Sequence, residues 1–171
     1  EISECLVGSE MCIRDSINDI TGYRLNVVDA ACGSRFYNFE KTKDGGTTWT
    51  EVNGDPFDQN MGVAEGLLFF TNDFGFAGLT YASEDFSMLY VTKDGGETFE
   101  RLELPLDTVT ELPSEAAELG FTIEDYDYHT MPQIVDGKME IYLQTDAMEQ
   151  QGIIFQSEDN GVTWEYAGCK E

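Results

Sequence analysis

Along most of this chain short apolar and aromatic runs alternate with polar turns. In Met139 to Gln144 the apolar Met139, Ile141 and Leu143 alternate with Glu140, Tyr142 and Gln144, the period of two that belongs to a strand with unlike faces. "GLLFFTN" (66–72) and "FGFAGLTYA" (74–82) are apolar and aromatic, parted by Asp73, and "SMLYVTKD" and "TFERLELP" flank a DGG turn. Those four runs predict a four-stranded antiparallel meander. "MPQIVDG", "KMEIYLQTD", "GIIFQSED" and "TWEYAG" repeat the layout at the C-terminal end. Near the start, "YRLNVVDAA", "RFYNFEKTKD" and "TWTEVNGD" supply only its later three strands. The pattern predicts an all-β fold of about three four-stranded antiparallel units. The first, at 17–55, lacks its innermost strand; the second covers 56–105 and the third 128–171.

Each unit carries the same turn between its last two strands. "TKDGGTTW" (42–49) returns as "TKDGGETF" (92–99) and "SEDNGVTW" (157–164), which places Asp44, Asp94 and Asp159 in equivalent positions. Asp-Gly-Gly between strands that reverse direction supplies a carboxylate for backbone N–H groups and residues free to take φ > 0. Hydroxyls at Thr42, Thr92 and Ser157, and at Thr48, Thr98 and Thr163, extend that local network. Trp49, Phe99 and Trp164 add an apolar body to pin the turn. As read, the turn is a brace, and chemistry is expected at the opposite, inner strands.

Two segments break the pattern. "LDTVTELPSEAAELGFTIEDYD" (106–127) is an insertion, in which Ser114 is expected to cap a short helix through Leu119 and Gly120 to end it. "LVGSEMCIRDS" (6–16) has neither period nor turn logic and looks like a translated sequencing adapter, so residues 1–16 are expected to be artefact and native sequence to begin near Ile17. On that reading a signal peptide would have been lost upstream, and Cys12 is not native. Cys32 and Cys169 are too far apart for a zinc or redox motif, while a disulfide between them stays open.

The pattern Ser/Thr-x-Asp-x-Gly-x-Thr-Trp/Phe resembles the Asp-box, or BNR, repeat. All three copies fit it: Thr42, Asp44, Gly46, Thr48, Trp49; Thr92, Asp94, Gly96, Thr98, Phe99; and Ser157, Asp159, Gly161, Thr163, Trp164. The resemblance covers most of Ile17 to Gly168 outside the insertion and implies a partial β-propeller of the sialidase-like and sortilin-like kind. Whole propellers have about four to eight blades, so a fragment is expected.

Asp-box propellers host glycosidases, sorting receptors and assembly factors, so the fold fixes no activity. The arginine triad that the resemblance would require of a sialidase has only Arg24, Arg35 and Arg101 to draw on after Ser16, and no catalytic residue is assigned. A second reading keeps a sialidase-like glycoside hydrolase whose catalytic residues lie in missing blades. Tyr126, Tyr128 and His129 enter the innermost strand of the third unit and are the candidate ligand contacts, stacking on a sugar or gripping a peptide. The neighbouring carboxylates Glu124, Asp125 and Asp127 suggest calcium, without the spacing of an EF-hand; no other cofactor or metal is expected.

Charge narrows the partners. Thirty-four acidic residues against nine basic ones give a net charge of −25, spread along 171 residues, a field that repels nucleic acid and anionic membranes. No run of apolar residues is long enough to span a bilayer. The expectation is thus a non-catalytic Asp-box propeller fragment of a secreted or surface bacterial protein that binds a glycan or protein ligand.

Overall fold

A computed structural model describes residues 5–6, 11–81, 86–145 and 151–170. Three antiparallel sheets account for nearly all its regular structure. The first runs in chain order through β1 (Cys5–Leu6), β2 (Met11–Ser16), β3 (Gly22–Ala31), β4 (Ser34–Thr42) and β5 (Thr50–Asn53). The second has β6 (Val63–Phe69), β7 (Gly75–Thr80), β8 (Ser87–Thr92) and β9 (Glu100–Arg101) in the same sequential order. In the third, β12 (Lys138–Gln144), β13 (Gly152–Ser157) and β14 (Glu165–Lys170) follow one another. β10 (Tyr128–His129) and β11 (Gln133–Val135) both pair with the inner edge of β12. The innermost strand of that sheet is therefore split, with Thr130 to Pro132 between its halves.

Residues 17–55 supply β3, β4 and β5, the three later strands, and the segment before them extends the sheet. β2 lies between β1 and β3, with Ile13 opposite Leu25, Arg14 opposite Arg24 and Asp15 opposite Tyr23. An open strand edge accepts any extended neighbour through its backbone, which is why a segment without strand periodicity can fill it. Asp15 then adds a specific contact: its buried Oδ2 accepts the Phe69 N–H at 2.6 Å.

The chain divides into two units, residues 1–84 with 89–102, and residues 85–88 with 103–171. In the first, Tyr23, Leu25 and Phe39 on one face of the first sheet meet Leu67 and Phe69 of β6, all of them buried. The Tyr23 and Phe69 rings stack with centroids 3.7 Å apart, and the Tyr23 hydroxyl donates to the Asn72 carbonyl at 3.1 Å. Burial, followed by the charges of Asp73 and Asp15, pushes the Tyr23 hydroxyl up to about 12, so it stays a donor. Each such side chain contributes about 1.5–3 kcal/mol on burial. Arg35 and Gly62 exchange two backbone hydrogen bonds, 2.7 and 3.1 Å, that tie β4 to the segment entering β6. A side chain at Gly62 would run into the Thr80 carbonyl.

The second unit buries Met139, Ile141 and Leu143 of β12 with Ile153 and Phe155 of β13, the apolar set expected from the alternation. Ser87 stands in for a strand partner to β10: its Oγ accepts the His129 N–H at 2.6 Å and donates to the His129 carbonyl at 2.7 Å. The insertion holds a helix, α1 (Ser114–Leu119), between two single 3-10 turns at Leu106–Thr108 and Ile123–Asp125. Gly120 ends α1 with φ +84°. Ser114 is the first helical residue, not the cap, because the chain turns in one position earlier than expected. No helix among the described residues is long and apolar enough to cross a membrane.

Candidate functional site

The three repeated turns join β4 to β5, β8 to β9 and β13 to β14, and each closes on the same hydrogen bonds. In the first, the Thr42 hydroxyl donates to Asp44 Oδ1 at 2.8 Å and accepts the Gly46 N–H at 2.9 Å. Thr48 donates its N–H to Oδ1 at 2.8 Å and its hydroxyl to Oδ2 at 2.6 Å. Thr92, Asp94, Gly96 and Thr98 reproduce these four bonds at 2.8, 2.9, 2.9 and 2.5 Å. Ser157, Asp159, Gly161 and Thr163 do so at 2.8, 2.7, 2.8 and 2.7 Å. Thr42, Thr92 and Ser157 are buried while the aspartates face outward. In each turn the first hydroxyl is therefore the inner pivot. Trp49 adds a bond from Nε1 to the Gly46 carbonyl, 3.1 Å.

This arrangement decides what the aspartates can do chemically. Three shared donors stabilise each carboxylate in its ionised form, and at Asp159 the Val162 N–H adds a fourth at 3.1 Å. The Thr48 hydroxyl and N–H, then the Thr42 hydroxyl, draw Asp44 down to about 2. The Thr163 hydroxyl and N–H, then the Ser157 hydroxyl, do the same to Asp159. At Asp94 burial works upward, but the Thr98 and Thr92 hydrogen bonds outweigh it and the carboxyl is again lowered. Carboxylates so held are poor proton acceptors near neutral pH.

Polar side chains gather instead on the sheet faces turned away from the apolar cores. On the first sheet Arg24 meets Glu40 with its Nε 2.6 Å from Oε2. Asn38, itself buried, donates to Glu51 at 2.6 Å and more weakly to Glu40 at 3.4 Å. The Arg24 guanidinium lies 4.5 Å above the Trp49 ring and that of Arg14 lies 5.4 Å from it, a distance at which cation–π attraction operates. On the third sheet the buried Glu140 accepts from the Tyr142 hydroxyl at 2.6 Å and from Gln156 at 2.5 Å. The bond to Glu140, then burial, raises Tyr142 above its ordinary value. Lys170 covers the Tyr142 ring at 5.5 Å. Alternation places Glu140 and Tyr142 among polar positions, yet their partnership with Gln156 depends on the β12–β13 register, which no local signal reveals.

The candidate ligand contacts separate in the structure. Tyr126 is 2% exposed. Tyr128 and His129 on β10 are half-buried at the inner edge of the third sheet, opposite Gln144 and Leu143. Of the acidic trio, Asp125 is committed locally: its Oδ2 accepts the Thr122 N–H at 2.7 Å and the Thr122 hydroxyl at 2.9 Å. Among the described residues no group of three or more His, Cys, Asp or Glu side chains is arranged to hold a metal ion. Neither Cys32 nor Cys169 is in a disulfide, and the Cys169 thiol donates to the Glu111 carbonyl at 3.3 Å. Arg24, Arg35 and Arg101 lie on β3, β4 and β9, with Arg24 paired to Glu40 and Arg101 exposed on an outermost strand.

Among the described residues, open clefts lie beside the turns. One of about 280 Å³ is bounded by Arg14, Asn18, Thr21, Gly45 and Trp49. Another, about 430 Å³, lies between the first and second turns and brings Lys41 and Lys43 near Asp44, Asp73 and Asp94. The third, about 440 Å³, runs beside the last turn past Lys138, Gln156, Glu158 and Tyr166. All three are within or just under the size range of small-ligand sites; the first and third have mostly polar walls, where such sites are mainly apolar, and the second is nearly balanced. Comparison with known proteins finds no matching family model and no similar curated protein, so the chain is placed by its architecture, an all-β protein of three antiparallel sheets.

Proposed function

We propose that the chain is a run of Asp-box propeller blades that binds a glycan or a protein ligand and carries out no catalysis. One observation carries this reading: the same four hydrogen bonds recur at the same outer hairpin of three successive antiparallel sheets. That repetition supports a modular scaffold in which the shared residues brace each module and the differing inner strands and clefts meet the ligand. The turn aspartates are a poor choice of acid or base, and Arg24 is already neutralised by Glu40, which argues against a sialidase-type carboxylate clamp built from these residues. Polar clefts lined by amide, hydroxyl and carboxylate groups favour a hydroxyl-rich or basic ligand over an apolar one. The strongly acidic surface opposes nucleic acid. On the Asp-box resemblance, the setting we assign is a secreted or cell-surface protein.

A glycan-array screen of this protein, run beside a fluorogenic sialoside assay, tests the proposal. Saturable retention on particular glycans, or on a basic protein bait in a parallel pull-down, with no turnover is the expected result. Release of the fluorophore above the rate of a heat-denatured control would overturn the non-catalytic assignment. Absence of saturable binding to either class would overturn the binding role.

A further inference from the structure

The chain contains two Asn-Gly pairs, Asn53–Gly54 and Asn160–Gly161, and the structure treats them oppositely. We infer that Asn53 is a site of spontaneous covalent modification, conversion through a cyclic imide to aspartate and isoaspartate, and that Asn160 is protected from it. The reaction needs the backbone nitrogen of the following residue as nucleophile. Hydroxide removes the proton from the Gly54 N–H, and that nitrogen attacks Asn53 Cγ. The N–Cγ bond forms, the Cγ–Nδ2 bond breaks, and Nδ2 departs as ammonia after taking a proton from water. Water then opens the imide at either carbonyl. Cleavage at Cγ gives aspartate; cleavage at the main-chain carbonyl gives isoaspartate, with the chain rerouted through the side chain.

At Asn53 the surroundings favour each step. Gly54 is exposed, its N–H meets no acceptor among the described residues, and it lacks a side chain to hinder ring closure. The Asp55 N–H donates to Asn53 Oδ1 at 2.8 Å, placing a donor where negative charge develops as the nitrogen adds to Cγ. At Asn160 the nucleophile is withheld: the Gly161 N–H is buried and bound to the Ser157 Oγ at 2.7 Å. That bond belongs to the repeated turn, so the brace itself shields the pair it contains. Conversion at Asn53 has a structural consequence, because Asn53 Nδ2 donates to the Glu97 carbonyl at 3.1 Å. A carboxylate cannot donate there, so the tie between the end of β5 and the second turn is lost.

Peptide mapping by mass spectrometry on protein aged at mildly alkaline pH tests this, with the two pairs compared in one molecule. Asn53 is expected to convert roughly tenfold faster than Asn160, the factor that breaking one hydrogen bond imposes. In urea the two rates are expected to converge. Conversion of Asn160 as fast as Asn53 in the folded protein would overturn the inference, as would a rate difference that survives unfolding. Gly54→Ala supplies a second readout: a Cβ there meets only Glu51 Oε1, at an ordinary 3.6 Å, so the fold should tolerate it while conversion at Asn53 slows. Unchanged conversion in that variant would also count against the mechanism.

Discussion

Gly46 and Gly96 occupy the same place in the first and second turns, with φ of +86° and +94°, yet alanine should affect them very differently. At Gly46 an added Cβ would meet nothing nearer than Trp49 Cζ2 at 3.6 Å, so the substitution carries only the left-handed backbone penalty, about 1–2 kcal/mol. At Gly96 the same Cβ would drive into the Phe39 ring, 2.5 Å from Cδ1 and 2.7 Å from Cζ. Phe39 cannot retreat: it is fully buried, stacked on Tyr23 and Phe69, and edge-on to Phe99 at 5.2 Å. Overpacking of that kind adds about 1–3 kcal/mol, for a total loss of about 2–5 kcal/mol at Gly96. Urea unfolding of wild type, Gly46→Ala and Gly96→Ala would measure both. Since the backbone term is shared, the difference between the variants isolates the contact between the second turn and Phe39. Adding Phe39→Leu to Gly96→Ala should recover part of the loss, with a coupling of about 0.5–3 kcal/mol. Equal losses for the two glycine variants, or no coupling to Phe39, would refute the packing.

Asp15→Ala would leave the Phe69 N–H buried without its acceptor and should cost about 1–3 kcal/mol; Asp15→Asn keeps an acceptor oxygen and should cost less, as read by thermal unfolding. Tyr37→Phe removes the hydroxyl that accepts the Ala64 N–H at 2.9 Å and should destabilise by a similar amount for the same reason. Acid should erode the first and third turns in a defined window. Their aspartates are depressed to about 2 from an ordinary 3.8, so the stabilisation is complete above about 3.8 and is lost as pH falls toward 2. The gap in melting temperature between wild type and an Asp44→Asn, Asp159→Asn double variant should hold on the neutral side of that window and narrow through it; a gap independent of pH would contradict the assigned hydrogen bonds. Nucleotide sequence across Leu6 to Ser16 tests the adapter resemblance directly, since codons that differ from the adapter reading would end it.

The parts of this molecule that could be read in the sequence are those whose physics is local. A turn from Thr42 to Trp49 is closed by side-chain hydrogen bonds between residues no more than four apart in the chain, so residue types at fixed spacing predict it, while the Gly45 N–H reaches out to the Ile20 carbonyl. Alternation along Met139 to Gln144 likewise assigns faces without knowledge of what they face. β2 was not legible, because it pairs through backbone groups that its residue pattern does not advertise, and because Asp15 serves an N–H fifty-four residues away. Tyr126 is buried although its neighbours Asp125 and Asp127 mark the segment as surface, and that burial is not a property its local pattern displays. The same division separates scaffold from function. The repeated residues bond chiefly to one another within each turn, and their carboxylates hold no proton affinity suited to catalysis. What distinguishes one sheet from the next lies in cross-strand groups such as Arg24 with Glu40, and Glu140 with Tyr142 and Gln156, which only the register brings together. Specificity in such a protein should therefore follow substitutions at those cross-strand positions, whereas substitutions in the turns should change stability and leave ligand preference intact.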